Sequence, residues 1–293
     1  MLTRDVWEPL AAGHRRSAET ELADVVHRRD RGLRHPVEDF LFHYYNTRPS
    51  QLMQWHPGVG VAVEDDGTWT PPMYRITDGA AQLDAVHFLT KRGNTVAHAG
   101  RLLRATLDRE PNFGCFGMHE WAMVYRLRDD ETRHSKLRLR FPPDELADIV
   151  ETVGCRCSHF DAFRFFTEPA RALNIIAPTR ERQIELDQPG CLHVNMDLYR
   201  TAGKLWPAVP SSLLLNTFRL AREIREVDMR ASAYDLTDWG YEPIRVETAE
   251  GRAEYVRFQR RFAERAQPLR RELLRVVELL GEAAPKYRES LAT

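Results

Sequence analysis

Three short stretches of the chain carry the residue types of acid–base or metal chemistry. They are Cys115-Phe-Gly-Met-His119-Glu120-Trp121, Cys155-Arg-Cys157-Ser-His159-Phe-Asp161 and Cys191-Leu-His193-Val-Asn195-Met-Asp197. Each sets a cysteine ahead of a histidine, with a carboxylate at or just beyond it, among apolar or aromatic residues. An ionisable side chain in such surroundings is costly unless it is paired, liganded or used. Glu120, inside an otherwise apolar helical run, is the first candidate for a carboxylate of raised pKa, the usual route to a general acid or base near neutral pH. The bland alternative is a buried salt bridge to Arg126 or to an arginine from elsewhere. On a helix His193 and Asp197 stand four apart and share a face, which Arg200 and Lys204 continue. Such a pair can ligate a metal, orient a substrate or form an ordinary buried hydrogen bond. His159 and Asp161, two apart, point the same way only on a strand.

Several sharper readings fail on spacing. Cys155-x-Cys157-x-His159 offers thiolate and imidazole, the preferred zinc donors, but finger units place two residues between cysteines and no second pair exists. The four cysteines therefore read as buried thiols packing as small hydrophobes. His119-Glu120 is followed by Met123 and Val124 where H-E-x-x-H requires a second histidine, which disfavours a metalloprotease. Pro57-Gly58-Val59-Gly60 leads into a strand-like run and not into the helix of a DNA-repair hairpin. Glycine-rich phosphate loops and nucleophile elbows are missing. Two histidines and one carboxylate do suffice for a non-haem iron site. In a metalloenzyme the expected ligands are His159, Asp161, His193 and Asp197, although the E-x-x-H repeats of di-iron bundles are absent. No organic cofactor is expected; a divalent metal ion is the one group these donors could hold.

The elements that must position these residues read as mainly helical, an α+β chain with minor β-hairpin elements and one multi-helix globular domain. Residues 1–34 form a charged N-terminal segment with a helix at about 17–32. Residues 35–293 form one catalytic-type domain ending in a long helix at about 250–282. Helices are also predicted at 37–45, 79–109 with a break near 91–94, 114–126, 144–152, 192–205 and 211–230. Val61-Ala-Val63 turned by Asp66-Gly67 is the hairpin signal, and short strands are expected near 137–141 and 244–247. A hydrophobic content of 43% supports a sizeable core, and 42 basic against 43 acidic residues argue against an unspecific nucleic-acid coat protein. Residues 126–140, with six basic and three acidic side chains, are the one basic patch. No window approaches the roughly 20 apolar residues of a membrane helix. No secretory signal is legible and cysteines are few, so a cytoplasmic location and no membrane partner are expected.

The phrases His35-Pro36 through Arg48-Pro49, Gly114 to Arg126, Ser158 to Thr167, Pro189 to Leu205, and Glu223 to Leu236 resemble an actinobacterial family labelled 3-methyladenine DNA glycosylase. The resemblance runs over nearly the whole chain. It implies excision of alkylated purines from DNA, with DNA as the partner. An alkylated purine is already cationic, so such an enzyme needs an aromatic pocket and a carboxylate near the developing sugar cation. Glu120 or Asp161 would be that carboxylate, oriented by His119, His159 and His193. Tyr44, Tyr45 and Trp121 would stack on the base, Asn195 and Asp197 would line the substrate site, and Arg48 or Arg200 would engage phosphate. The competing readings are a metal-dependent oxidase, oxygenase or hydrolase acting on a small molecule, and a non-catalytic interaction protein whose polar residues knit helices together.

Overall fold

Helices dominate wherever the apolar spacing follows 3.6 residues, and among the described residues the strands fall within 63–83. A computed structural model describes residues 1–45, 47–65, 67, 69, 71–127 and 137–292. In chain order the elements are α1 (Arg4–Asp30), α2 (Phe40–Tyr44), α3 (Pro49–Met53), β1 (Val63–Glu64), β2 (Tyr74–Thr77), β3 (Ala80–Leu83) and α4 (Ala85–Leu107). Then follow α5 (Met118–Ala122), α6 (Pro143–Val153), α7 (Phe160–Phe163), α8 (Glu168–Arg171) and α9 (Gln183–Leu186). Long helices close the chain: α10 (Leu192–Leu205), α11 (Ser211–Arg230), α12 (Ala249–Ala283) and the short α13 (Arg288–Ala292). The fold is therefore mainly α with a small β component, as the periodicity indicates.

Two compact units make up the chain. The first comprises Met1–Leu107, Asp197–Ala221 and Pro268–Thr293; the second comprises Asp108–Met196 and Arg222–Gln267. In the first, the sheet has the order β1-β3-β2, all antiparallel. The β2–β3 hairpin turns at Asp78-Gly79, with φ of 53° and 73°. Positive φ at both central positions gives the turn whose twist matches paired strands, and glycine adopts it without a Cβ penalty. The hairpin predicted at Asp66-Gly67 is not the one formed: Val63 and Glu64 pair with Ala81 and Ala80 of β3, while Asp66 lies outside the described residues. Trp7, Trp55 and Trp69 pack against Val63 and Ala81, and the Trp7 indole N–H donates to the Glu64 carbonyl at 2.8 Å.

Other expectations shift in detail. α1 begins at Arg4, not near 17, and runs through Pro9, whose missing N–H removes one bond of the helix interior. α4 runs unbroken through Lys91-Arg92-Gly93, and residues 79–83 belong to the turn and second strand of the β2–β3 hairpin. The predicted strand at 137–141 reduces to a single bridge, Leu139 to Tyr234, and 244–247 is not a strand. In the second unit α5 packs on α6. Among the described residues no helix is long and apolar enough to cross a membrane.

Candidate metal centre

The three histidines singled out by sequence converge in the second unit. His119 rises from α5, His193 from the first turn of α10, and their rings meet edge-on with centroids 4.4 Å apart. His159, at the N-cap of α7, stacks on His193 at 5.2 Å and 18°. The carboxylate that completes the group is Asp228 of α11, entirely buried. Asp228 Oδ1 lies 2.9 Å from His119 Nε2, and Oδ2 lies 4.0 Å from His193 Nε2. One ligand atom from each of His119, His193 and Asp228 falls within 4.8 Å of the others.

A buried arginine organises the acidic side of this group. Arg225 Nη1 reaches Glu120 Oε1 at 3.0 Å and Asp228 Oδ2 at 3.1 Å. Arg225 and Asp228 sit three apart on α11, so one helical turn presents both to the same side. His119 and Glu120 are adjacent on α5 and diverge by about 100°, which lets His119 face Asp228 while Glu120 faces Arg225. Glu120 is therefore a buried salt-bridge partner, as its bland reading anticipated, with Arg225 in the role considered for Arg126; Arg126 pairs with Glu151.

Electrostatics follow from these contacts. Burial raises the Asp228 carboxyl, but His119, His193 and Arg225 outweigh it and hold the group well below the usual range. Burial pulls the His119 imidazolium down, and Asp228 together with the Cys115 thiol more than offsets that, leaving it well above its ordinary value. Without a metal the pair is thus ionic. Even so, neither His119 Nε2 nor Asp228 Oδ1 makes a hydrogen bond, so the 2.9 Å approach is one of distance and not of hydrogen-bond direction. Two donors about 2.0–2.2 Å from one ion stand about 2.9 Å apart at a right angle and about 3.4 Å apart in a tetrahedron. The observed separation matches that range, and a small closure would bring in His193.

The thiols do not join the set. All four cysteines are free. Burial pushes the Cys155 thiol up to about 12 and raises Cys157 and Cys191 well above their ordinary value. These three pack as hydrophobes, in keeping with their spacing, whereas the half-buried Cys115 thiol lies beside His119. Gly117 also matters locally. Its φ of +73° ends the run of Cys115 and Phe116 and starts α5, and a Cβ there would lie 3.3 Å from the Tyr255 hydroxyl and ring edge. Phe116 shares the left-handed conformation, with φ +51°. These two residues are why α5 starts only at Met118 and not at the expected 114.

The remaining candidates have other employments. Asp161 lies 3.6 Å from Arg164 and 3.8 Å from Arg180, at the start of a helix and not on a strand. His159 Nδ1 accepts the Ala162 N–H at 3.2 Å as a cap. Asp197 accepts the Tyr45 hydroxyl at 2.7 Å and pairs with Arg200. Of the four ligands expected for a metalloenzyme, only His193 belongs to the triad. The Asn195 amide donates to the Pro189 carbonyl, and the Trp121 indole N–H donates to the Ala231 carbonyl, both at 2.8 Å. Tyr44 stacks on Phe40 at 4.9 Å, and exposed Arg48 stands at the N-cap of α3, its backbone N–H donating to Gln51 Oε1 at 2.9 Å. In the basic patch, Arg126, Arg138 and Arg140 pair with Glu151, Asp238 and Glu247, and residues 128–136 lie outside the described residues. A cleft of about 410 Å³ opens along Asp148, Thr152 and Phe116, on the helix that packs against α5.

Sequence reasoning missed Asp228 and Arg225 as site residues. Leu214, Phe218, Ala221, Arg225 and Asp228 recur at steps of four, three, four and three along α11, and all are buried. That spacing is an inward-facing stripe, and a cation and an anion on it are the signal that was available.

No protein family, curated protein or solved structure matches this chain. The site must be argued from its own geometry.

Proposed function

We propose that the chain is a metal-dependent enzyme in which His119, His193 and Asp228 hold one divalent ion, iron(II) in first place. The observation that carries the reading is the approach of His119 Nε2 and Asp228 Oδ1 to 2.9 Å, both buried and neither hydrogen-bonded, with His193 Nε2 turned to the same carboxylate. Two imidazoles and one carboxylate are the donor set of non-haem iron oxidases and oxygenases, which keep open positions for a small-molecule substrate and dioxygen. Zinc on a comparable set supports hydrolysis instead. The Arg225 contact to Asp228 Oδ2 supplies the outer support that orients a ligating carboxylate.

The test is metal content. Protein purified without chelators should hold about one equivalent of iron, zinc or manganese per chain, and folded His119→Gln and Asp228→Asn variants should hold none. Folded wild-type protein that takes up no metal sinks the proposal. The glycosylase activity implied by the resemblance is the rival, and release of free base from methylated DNA by metal-stripped protein would favour it.

A further inference from the structure

In the first unit, one side of α4 lines a cleft of about 620 Å³, faced by Tyr287 and by Ser290 of α13. Thr90, Gly93, Asn94, Ala97 and Arg101 follow one another at steps of three, one, three and four, which is one side of a helix. Gly93 and Gly100 are seven apart and share that side. At Gly100 the glycine serves packing: a Cβ there would meet Val277 at 3.1 Å and the Leu291 carbonyl oxygen of α13 at 3.5 Å. At Gly93 a Cβ would meet nothing within 4 Å. Glycine inside a helix is less favourable than alanine. No neighbour among the described residues requires it at position 93, and the space above it belongs to the cleft.

The cleft is cationic and rich in hydroxyls. Lys91, Arg92 and Arg101 line it, and none of its described lining residues is acidic. Among the described residues no carboxylate pairs with any of the three. Arg92 spends Nη1 on the carbonyls of Lys204 and Trp206, at 3.0 and 2.7 Å, and burial alone lowers its guanidinium, with no carboxylate to offset it. Exposed Lys91 and half-buried Arg101 remain for a ligand. They are ten residues apart, about 15 Å of helix axis. Side chains on a helix lean toward its N-terminus, so Arg101 leans over the cleft while Lys91 leans toward its far end. Between them lie the Asn94 amide and the hydroxyls of Thr90 and Tyr287, 2.9 Å apart. The volume is that of a small-molecule site. We propose that this cleft binds a small polyhydroxylated bisphosphate, one phosphate at Arg101, the other at Lys91, and the hydroxylated body over Gly93. Such a ligand needs no metal.

Calorimetric titration of the full chain tests this, with chelator present and ionic strength held constant. The probes are fructose-1,6-bisphosphate, fructose-6-phosphate and fructose. The bisphosphate should bind one-to-one, the monophosphate more weakly and the neutral sugar not at all. One unit charge at about 4 Å beside water changes binding roughly fivefold, so Lys91→Gln and Arg101→Gln should each weaken the bisphosphate by about that factor. Gly93→Leu should abolish binding yet melt no lower than wild type, because leucine is a better helix former than glycine. A glycine needed only for packing would give the opposite pair of results. Lys91 and Arg101 lie outside the core, so their variants keep the test open if Gly93→Leu fails to fold. The proposal is overturned if the bisphosphate does not bind, if Gly93→Leu binds it as wild type does, or if sulfate competes equally well at the same charge. Displacement of the bisphosphate by a short DNA duplex would make the cleft a nucleic-acid surface and overturns it too. Because metal is withheld throughout, each of these outcomes leaves the metal reading standing.

Discussion

Asp228→Asn is the perturbation that separates a metal ligand from a structural carboxylate, because it keeps the shape and removes the charge. The carboxylate is wholly buried, 2.9 Å from His119 Nε2 and 3.1 Å from Arg225 Nη1. Removing one member of a buried ion pair costs about 3–5 kcal/mol. Here the cost should fall at the lower end, about 3 kcal/mol, because Arg225 keeps Glu120 at 3.0 Å and His119 can lose its proton. For a domain of about this size each kcal/mol moves Tm by about 2–4 °C, so the metal-free variant should melt about 6–12 °C below wild type. Metal adds a second difference. At a hundredfold excess over Kd, iron(II) or zinc stabilises the wild type by about 2.7 kcal/mol, a further rise of about 5–11 °C that Asp228→Asn should not show. Calorimetric melting of both proteins, with chelator and with metal, reads both effects. If the variant gains the same metal-dependent rise as wild type, Asp228 is not a ligand. If the metal-free proteins melt together, the buried network is not the stabilising unit its geometry implies.

Three further outcomes follow from the same structure. Asp197→Asn, which disturbs the Tyr45 and Arg200 contacts, should lower stability by about 1–3 kcal/mol yet leave metal content at one equivalent by elemental analysis. Gly117→Ala should cost about 1–2 kcal/mol for its left-handed backbone and weaken metal affinity by shifting the start of α5, measured by competition with a chromogenic chelator. His56 is buried, and burial, with His14 adding repulsion and the Val209 backbone offsetting only part of it, lowers its pKa to about 3. The unfolded chain then binds the extra proton between pH 6.5 and 3, so stability falls as pH drops below 6.5 and levels off near 3. The loss at pH 5 relative to pH 8 should be about 2 kcal/mol in urea titrations, and His56→Leu should abolish that part of the pH dependence; an unchanged slope would refute it.

What the chain discloses without its fold divides along a physical line. α10, α11 and α12 are legible because long apolar stripes at helical spacing leave little alternative, and Pro210 before Ser211 marks a boundary. The β2–β3 hairpin is hard to read because Ala80 and Ala81 have little strand preference, so an Asp78-Gly79 turn is absorbed into the helix that follows. α5 is shortened by two left-handed residues, Phe116 and Gly117, and a side chain as bulky as Phe116 gives no local warning of that conformation.

The site shows the same division. Histidines set among apolar residues announce themselves, and all three converge within about 5 Å of a neighbour's ring. Of their sequence-adjacent carboxylates only Glu120 stays with the group, through Arg225, because adjacency on a chain is not adjacency in space: Asp161 turns toward arginines and Asp197 toward Tyr45. The carboxylate that matters comes from a run, Arg222-Glu-Ile-Arg-Glu-Val-Asp228, whose charge density suggests a solvated face. Only the register of α11 sorts that run. Arg222 and Glu223 fall off the inward stripe and are half-exposed, while Arg225 and Asp228 fall on it and are buried. A charged residue kept on a core stripe must be balanced, and here the single charge of Arg225 is shared between Glu120 and Asp228, which leaves one negative charge over. The negative charge that Arg225 leaves unbalanced is met in the metal-free protein by the His119 imidazolium, 2.9 Å from Asp228, so a divalent ion bound at this position would take the place of that proton.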